Sequence, residues 1–145
     1  ANFEATTGLV ALKYAGSTKL TTTNDGTVTT GISTATVSFV DAIGNVRYLP
    51  PDSKSGAYVL VAGDAGKAIY ISTGGVTVNQ NIIPAGGMVT IINNSGSNQT
   101  ITQGSSVNLY NTADGSTGNK TLSARGTCTL WSFDGTAIYI SGNFA

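Results

Sequence analysis

Almost every periodic stretch in this chain repeats every two residues, and no stretch of ten residues or more repeats at the helical period. Alternate side chains of an extended strand point to opposite faces, so this periodicity commits the chain to sheets. Over residues 34–40, Ala35, Val37 and Phe39 share one face while Thr34, Thr36 and Ser38 share the other. Residues 68–72, 88–92 and 137–141 are apolar on both faces or nearly so, the pattern of central strands. Val59, Leu60 and Val61 read as another short buried run. Turn signals punctuate these runs: Asn24-Asp25-Gly26, Gly44-Asn45, Gly74-Gly75, Ser95-Gly96 and Asp134-Gly135. Asp-Gly and Asn-Gly supply the positive φ that tight hairpins need. The clearest case predicts a two-residue hairpin at Asp134-Gly135, joining strands over 127–133 and 136–141. The expected fold is therefore all-β, an antiparallel β-sandwich or partly closed barrel.

A break is expected at Pro50-Pro51, because proline cannot donate to a central ladder. It divides the chain into an N-terminal β leader, 1–49, and a C-terminal β domain, 50–145. The leader alternates short Thr-rich strands with Gly turns. Its large apolar side chains are thinly spread, from Phe3 and Leu9 to Val28 and Ile32. Ordering a backbone costs ~1–2 kcal/mol per residue. Burying so few apolar side chains, at ~2 kcal/mol each, does not offset that cost. The leader is expected to gain its core by packing between subunits, with Leu9, Leu12, Leu20, Val37, Phe39 and Val46 at the interface.

Charge and chemistry exclude several function classes. Seven basic and seven acidic residues leave no net charge, so nothing electrostatic favours nucleic acid or an anionic membrane. Only 10% of residues are charged, against about 25% in ordinary domains. The solvent face must then be built from Thr, Ser, Asn and Gly. No apolar run approaches the ~18 residues of a membrane span. The Ala-Asn-Phe-Glu start has neither a basic nor an apolar signal region, so no signal peptide is expected. Cys128 is the one cysteine, so no intrachain disulfide forms, and without any His it has no base to make it a nucleophile. Gly63-Asp64-Ala65-Gly66-Lys67 is read as a turn. A phosphate loop would need Gly at Val61 and Ser or Thr at Ala68. Asp25, Asp64, Asp114 and Asp134 all sit in turn contexts, where Asp caps its own backbone. No catalytic residue, cofactor or metal is expected; calcium on Asn111 and Asp114 is weighed against a plain solvated loop, and the loop is preferred.

That loop, 111–119, is polar and is the candidate outward-facing feature, with Tyr110, Asn111, Asp114 and Asn119 as its marked residues. Tyr110 is expected to pack. Trp131 is expected in the core because its strand is apolar; the alternative is a ring that stacks on sugars.

The stretch 9–31, LVALKYAGSTKLTTTNDGTVTTG, resembles the short repeat of fibre proteins from tailed phages of marine and cyanobacterial type. GNVRYLP at 44–50 is similar to the junction that follows such repeats. The segments 57–67, 89–96, 99–104 and 139–142 resemble the C-terminal module of those proteins. The resemblance implies a non-enzymatic virion structural protein on the phage particle surface, a tail fibre or head fibre, homotrimeric and without cofactor. Its expected partners are copies of itself, other tail or capsid proteins and a host surface glycan, with no nucleic acid and no membrane insertion. Two alternatives stand beside it: a capsid decoration protein clamping major capsid subunits, and a stand-alone carbohydrate-binding β-sandwich.

Overall fold

The computed structural model describes residues 2–6, 9–23, 26–30 and 48–145, and the chain divides into two compact units, 1–38 and 39–145. The described structure is all-β apart from a single 3-10 turn at Ala62–Asp64.

In the first unit β1 (Asn2–Thr6), β2 (Leu9–Tyr14), β3 (Ser17–Thr23) and β4 (Gly26–Thr29) form one antiparallel sheet in chain order. The β2–β3 turn has Ala15 at φ 51° and Gly16 at φ 76°. Positive φ at both central residues matches the twist of the strands they join. A register shift follows between Leu12 and Lys13. Across the sheet, Leu12 is paired with Leu20 and stands in register with Phe3. Among the described side chains of residues 10–30, none is buried. The strand expected over 34–40 lies outside the described residues, as do Val37, Phe39 and Val46.

The second unit contains β5 (Pro51–Lys54), β6 (Tyr58–Val59), β7 (Ala68–Ile71), β8 (Val76–Val78), β9 (Met88–Asn93), β10 (Gln99–Gln103), β11 (Asn108–Asn111), β12 (Lys120–Leu122), β13 (Thr127–Ser132) and β14 (Ala137–Gly142). They build a six-stranded sheet, β11-β14-β13-β9-β7-β5, and a four-stranded sheet, β12-β10-β8-β6. From β5 to β10 the chain passes to the other sheet at every step. Successive passes pair in parallel: β5 with β7, β7 with β9, β6 with β8, and β8 with β10. β11 is also parallel to β14, and the antiparallel pairs are β9–β13, β13–β14 and β10–β12. The expectation of an antiparallel fold is corrected here: the sheets are mixed. Gly74-Gly75 and Ser95-Gly96 are corners between sheets, whereas a hairpin returns the chain to the same sheet. A tight turn reverses direction in either case, and the distant partner decides where the next strand lands.

Gly74 and Gly75 show why these corners need glycine. Their φ values are +82° and +71°, and a Cβ on Gly75 would overlap the Thr100 carbonyl oxygen. The Gly75 N–H donates to Gln99 Oε1 at 3.1 Å, while its carbonyl accepts from the Tyr58 N–H at 3.1 Å. One corner thereby ties β6 to β10.

Both sheets feed one hydrophobic cluster. Ile69, Ile91, Leu130 and Ile140 come from the large sheet and Val76 and Ile101 from the small one, all fully buried. The run Val59-Leu60-Val61 is corrected: Leu60 is buried while Val59 and Val61 are exposed. β6 is a two-residue edge strand, so only one side chain of the three turns inward. Pro51 opens the edge strand β5, where its missing N–H leaves no central ladder incomplete. Neutral amides bridge the interior. Asn93, with no exposed surface, donates to the Ser97 and Ser123 carbonyls at 2.8 Å each and accepts from the Ser95 hydroxyl at 2.7 Å. At the C-terminus, Phe144 bridges to Leu122 and the Ala145 N–H donates to the Thr121 carbonyl at 2.9 Å, which covers the β12 edge.

β13 and β14 pair across Asp134-Gly135 as expected, and both are interior strands. The connection is one residue longer than expected. The Phe133 N–H donates to the Ala137 carbonyl, enclosing Asp134, Gly135 and Thr136. Asp134 Oδ1 accepts from the N–H groups of Thr136 and Ala137 and from the Thr136 hydroxyl, each at 2.8 Å. Those donors, the Ala137 N–H first, hold its pKa below the ordinary 3.8. A carboxylate with a depressed folded pKa adds stability above its ordinary pKa and loses it as pH falls through the folded value. We expect Asp134→Asn to lower the denaturation midpoint at pH 7, and the gap to wild type to close as pH drops below 3.8, read by urea denaturation across a pH series.

Candidate functional site

The described residues contain no group of three or more His, Cys, Asp or Glu side chains placed to hold a metal. Cys128 is buried in β13, and burial alone pushes its thiol up to about 12, well away from a reactive thiolate. Asp64 is buried in the 3-10 turn, where its Oδ2 accepts from the Tyr58 hydroxyl at 2.8 Å and the Val61 N–H at 2.9 Å. Burial and then the bond to Asp64 raise Tyr58 above its ordinary 10.0. The segment read as a turn over 63–67 is thus a capped corner.

The candidate loop between β11 and β12 is fastened from within. Asn111 Oδ1 accepts from the Ala113 N–H, and Asp114 Oδ1 accepts from the Ser116 N–H and hydroxyl at 2.9 and 2.7 Å. The Ser116 hydroxyl, foremost among these, holds Asp114 below the ordinary 3.8. Asn119 Oδ1 accepts from the Gln103 N–H at 2.9 Å, so it serves the loop's anchorage. Beneath the loop, the buried Lys120 donates its ammonium to the Ser116 carbonyl and hydroxyl, both at 3.1 Å. Asn111 Oδ1 and Asp114 Oδ1 thus each accept from donors within the loop. Of the four marked residues, Asn111, Asp114 and Asn119 build the loop, and Tyr110 belongs elsewhere.

Tyr110 joins a row on the outer face of the six-stranded sheet. It is paired with Tyr139, Tyr139 with Trp131, and Trp131 with Met88, across four adjacent strands. Trp131 is 41% exposed, Tyr139 39%, Met88 53% and nearby Phe133 62%. Trp131 is therefore corrected from core to surface: alternation sends Cys128, Leu130 and Ser132 inward and Trp131 and Phe133 outward. The expectation fails because the strand carries large apolar side chains on both faces, Leu130 inward and Trp131 and Phe133 outward. Trp131 meets Tyr139 across the hairpin, but the pairings of Tyr110 with Tyr139 and of Met88 with Trp131 join distant parts of the chain and carry no local signal.

The rings stack on one another. Tyr110 and Tyr139 have centroids 5.6 Å apart and planes 29° apart; Trp131 and Tyr139 are at 5.9 Å and 41°. Rings lying side by side in one plane need a wider separation, so these stand on the sheet in offset contact. Tyr139 contacts both other rings and is still 39% exposed.

The other candidate surface is the first unit. Leu12 is 39% exposed and Val28 54%, while Leu20 is partly exposed. Leu9 opens β2, paired with Thr6. Of the six expected interface residues, the sheet brings Leu12 and Leu20 together.

Comparison with protein-family models, with curated proteins and with solved structures gave no match.

Gln103 holds the loop at two points, since its Oε1 accepts from the Leu109 N–H at 3.0 Å and the Gly118 N–H at 2.9 Å. Leaving both donors without a partner costs about 1–3 kcal/mol each where water cannot reach them. We expect Gln103→Ala to lower the urea midpoint and to admit trypsin after Lys120, with wild type intact at that bond under the same digestion.

Proposed function

We propose that this chain is a non-enzymatic structural subunit of a phage particle. In this reading it forms a homotrimeric, fibre-like module. The β1–β4 sheet packs between subunits, and the second unit, taken as a two-sheet sandwich, is displayed at the particle surface. The observation that carries the reading is that the described residues of the first unit form one sheet. A sheet gains stability by burying one face against another layer, and no described side chain of residues 10–30 is buried. Neighbouring chains can supply that layer, with Leu12 and Leu20 at the contact. The trimer and the virion setting come from the resemblance of 9–31 and 44–50 to phage fibre repeats and their junction.

The carbohydrate-binding alternative would draw on the exposed row: Trp131 is 41% and Tyr139 39% exposed, and Tyr110 and Trp131 each contact one ring, Tyr139. A surface of Thr, Ser and Asn with few charges also suits a displayed, soluble particle component.

Light scattering on the full chain at micromolar concentration tests this directly. We expect a mass three times the 14.7 kDa of one chain. A stable, folded monomer under those conditions contradicts the proposal.

A further inference from the structure

Two loops at one end of the second unit are laced into a single surface. Residues 94–98 lead from β9 to β10, and residues 123–126 lead from β12 to β13. The Ala124 N–H donates to Asn98 Oδ1 at 3.0 Å, and the Arg125 N–H donates to the Ser95 carbonyl at 3.1 Å. Arg125 Nη1 donates to Asn94 Oδ1 at 2.9 Å. From beneath, the buried Asn93 donates to the Ser123 carbonyl at 2.8 Å. The bonds to Asn94 and Asn98 consume acceptors and leave donors. Both exposed carboxamides have their oxygens engaged within the loops, and their Nδ2 groups have no partner among the described residues. The guanidinium spends one of its five N–H donors on Asn94. No Asp or Glu lies in either loop. Elsewhere in the described second unit, Lys54 and Lys67 face Asp52, and the buried Lys120 serves Ser116. Arg125 is exposed, and its side chain bonds to a neutral amide.

We infer that this donor cluster binds the carboxylate of an acidic sugar. An ionised carboxylate is planar and only accepts, which matches a guanidinium fork flanked by amide donors. The surroundings select the rest of the ligand. Neither loop carries an aromatic, Leu, Ile, Val or Met side chain, the residues that form the core of a protein interface or enter a lipid surface. One arginine cannot track a nucleic-acid backbone, which takes several phosphate contacts. The outward amides and the exposed Ser97 hydroxyl suit sugar hydroxyls, which both donate and accept. The exposed aromatic row is no part of this surface: Met88 opens β9 and Phe133 follows β13, at the strand ends remote from these loops. The inference goes beyond the proposed structural role and does not require the trimer.

Arg125 has φ 58°, a left-handed conformation that asparagine adopts more readily than arginine. Arg125→Asn therefore removes the guanidinium while suiting the backbone. The experiment titrates the full chain with sodium glucuronate, glucose, acetate and inorganic phosphate at matched ionic strength. Backbone amide NMR shifts report binding, and thermal unfolding of wild type and variant reports stability. We expect saturating shifts at 94–98 and 124–126 with glucuronate and none with glucose. In Arg125→Asn we expect binding weakened about tenfold or more, the loss of one charge-assisted hydrogen bond, at an undiminished melting temperature. Failure to saturate with glucuronate, or binding that survives the substitution, overturns the inference. Acetate or phosphate binding as tightly as glucuronate overturns it too, since the site would then take a small anion without the sugar. A lowered melting temperature in Arg125→Asn, with no glucuronate binding in wild type, assigns the guanidinium to holding Asn94 alone and overturns it. A monomer that binds glucuronate overturns the proposed function and leaves this inference standing; a trimer that does not bind it does the reverse. Should Arg125→Asn not fold, the wild-type titrations alone decide.

Discussion

The alternation of β9, β13 and β14 sends Ile91, Leu130 and Ile140 into the shared core and Met88, Trp131 and Tyr139 out of it. The inner half of that alternation explains how the second unit stands. Each fully buried aliphatic side chain contributes about 1.5–3 kcal/mol relative to exposure, and both sheets deliver theirs to one cluster. Polar groups fasten what the core leaves open: the neutral amides of Asn93 and Gln99 bridge segments inside, and Asn111 with the carboxylates of Asp114 and Asp134 closes turns outside. Charge takes little part, and the ion pairs of Lys54 and Lys67 with Asp52 lie at the partly exposed β5 edge.

The outer half of the alternation has a different character. Met88, Trp131 and Tyr139 share that face with Thr90, Thr129 and Ser141, and solvent reaches the three large apolar side chains. The first unit has a related imbalance, four paired strands with no buried described side chain. In the proposed reading, neighbouring chains complete the burial of the first unit. Both features are also why function is sought here in surfaces; the described carboxylates and the thiol are occupied or buried.

Much of this was legible in the sequence where the signal was local. The Asp134-Gly135 hairpin could be read because its strands are consecutive and Asp can cap the turn. Central strands at 68–72, 88–92 and 137–141 could be read from their apolar faces. The parallel coil from β5 to β10 could not, because Gly74-Gly75 looks the same whether it forms a hairpin or a corner. Trp131 was placed inside because an apolar strand hides which of its faces is the inner one. Only the register with Met88 and Tyr139 reveals the row, and those partners are 43 and 8 residues away. Tyr110 was set with the loop by sequence proximity, whereas β11's parallel pairing with β14 draws it to Tyr139.

Hydrogen–deuterium exchange of the full chain at several concentrations tests the central claim most directly, because it separates the two units within one sample. If β1–β4 owe their order to neighbouring chains, their amides exchange slowly at micromolar concentration and faster on dilution. The amides of β9, β13 and β14 stay slow throughout, held by the chain's own core. Protection of β2 and β3 that does not change with concentration would contradict the account, since the sheet would then be stable within a single chain.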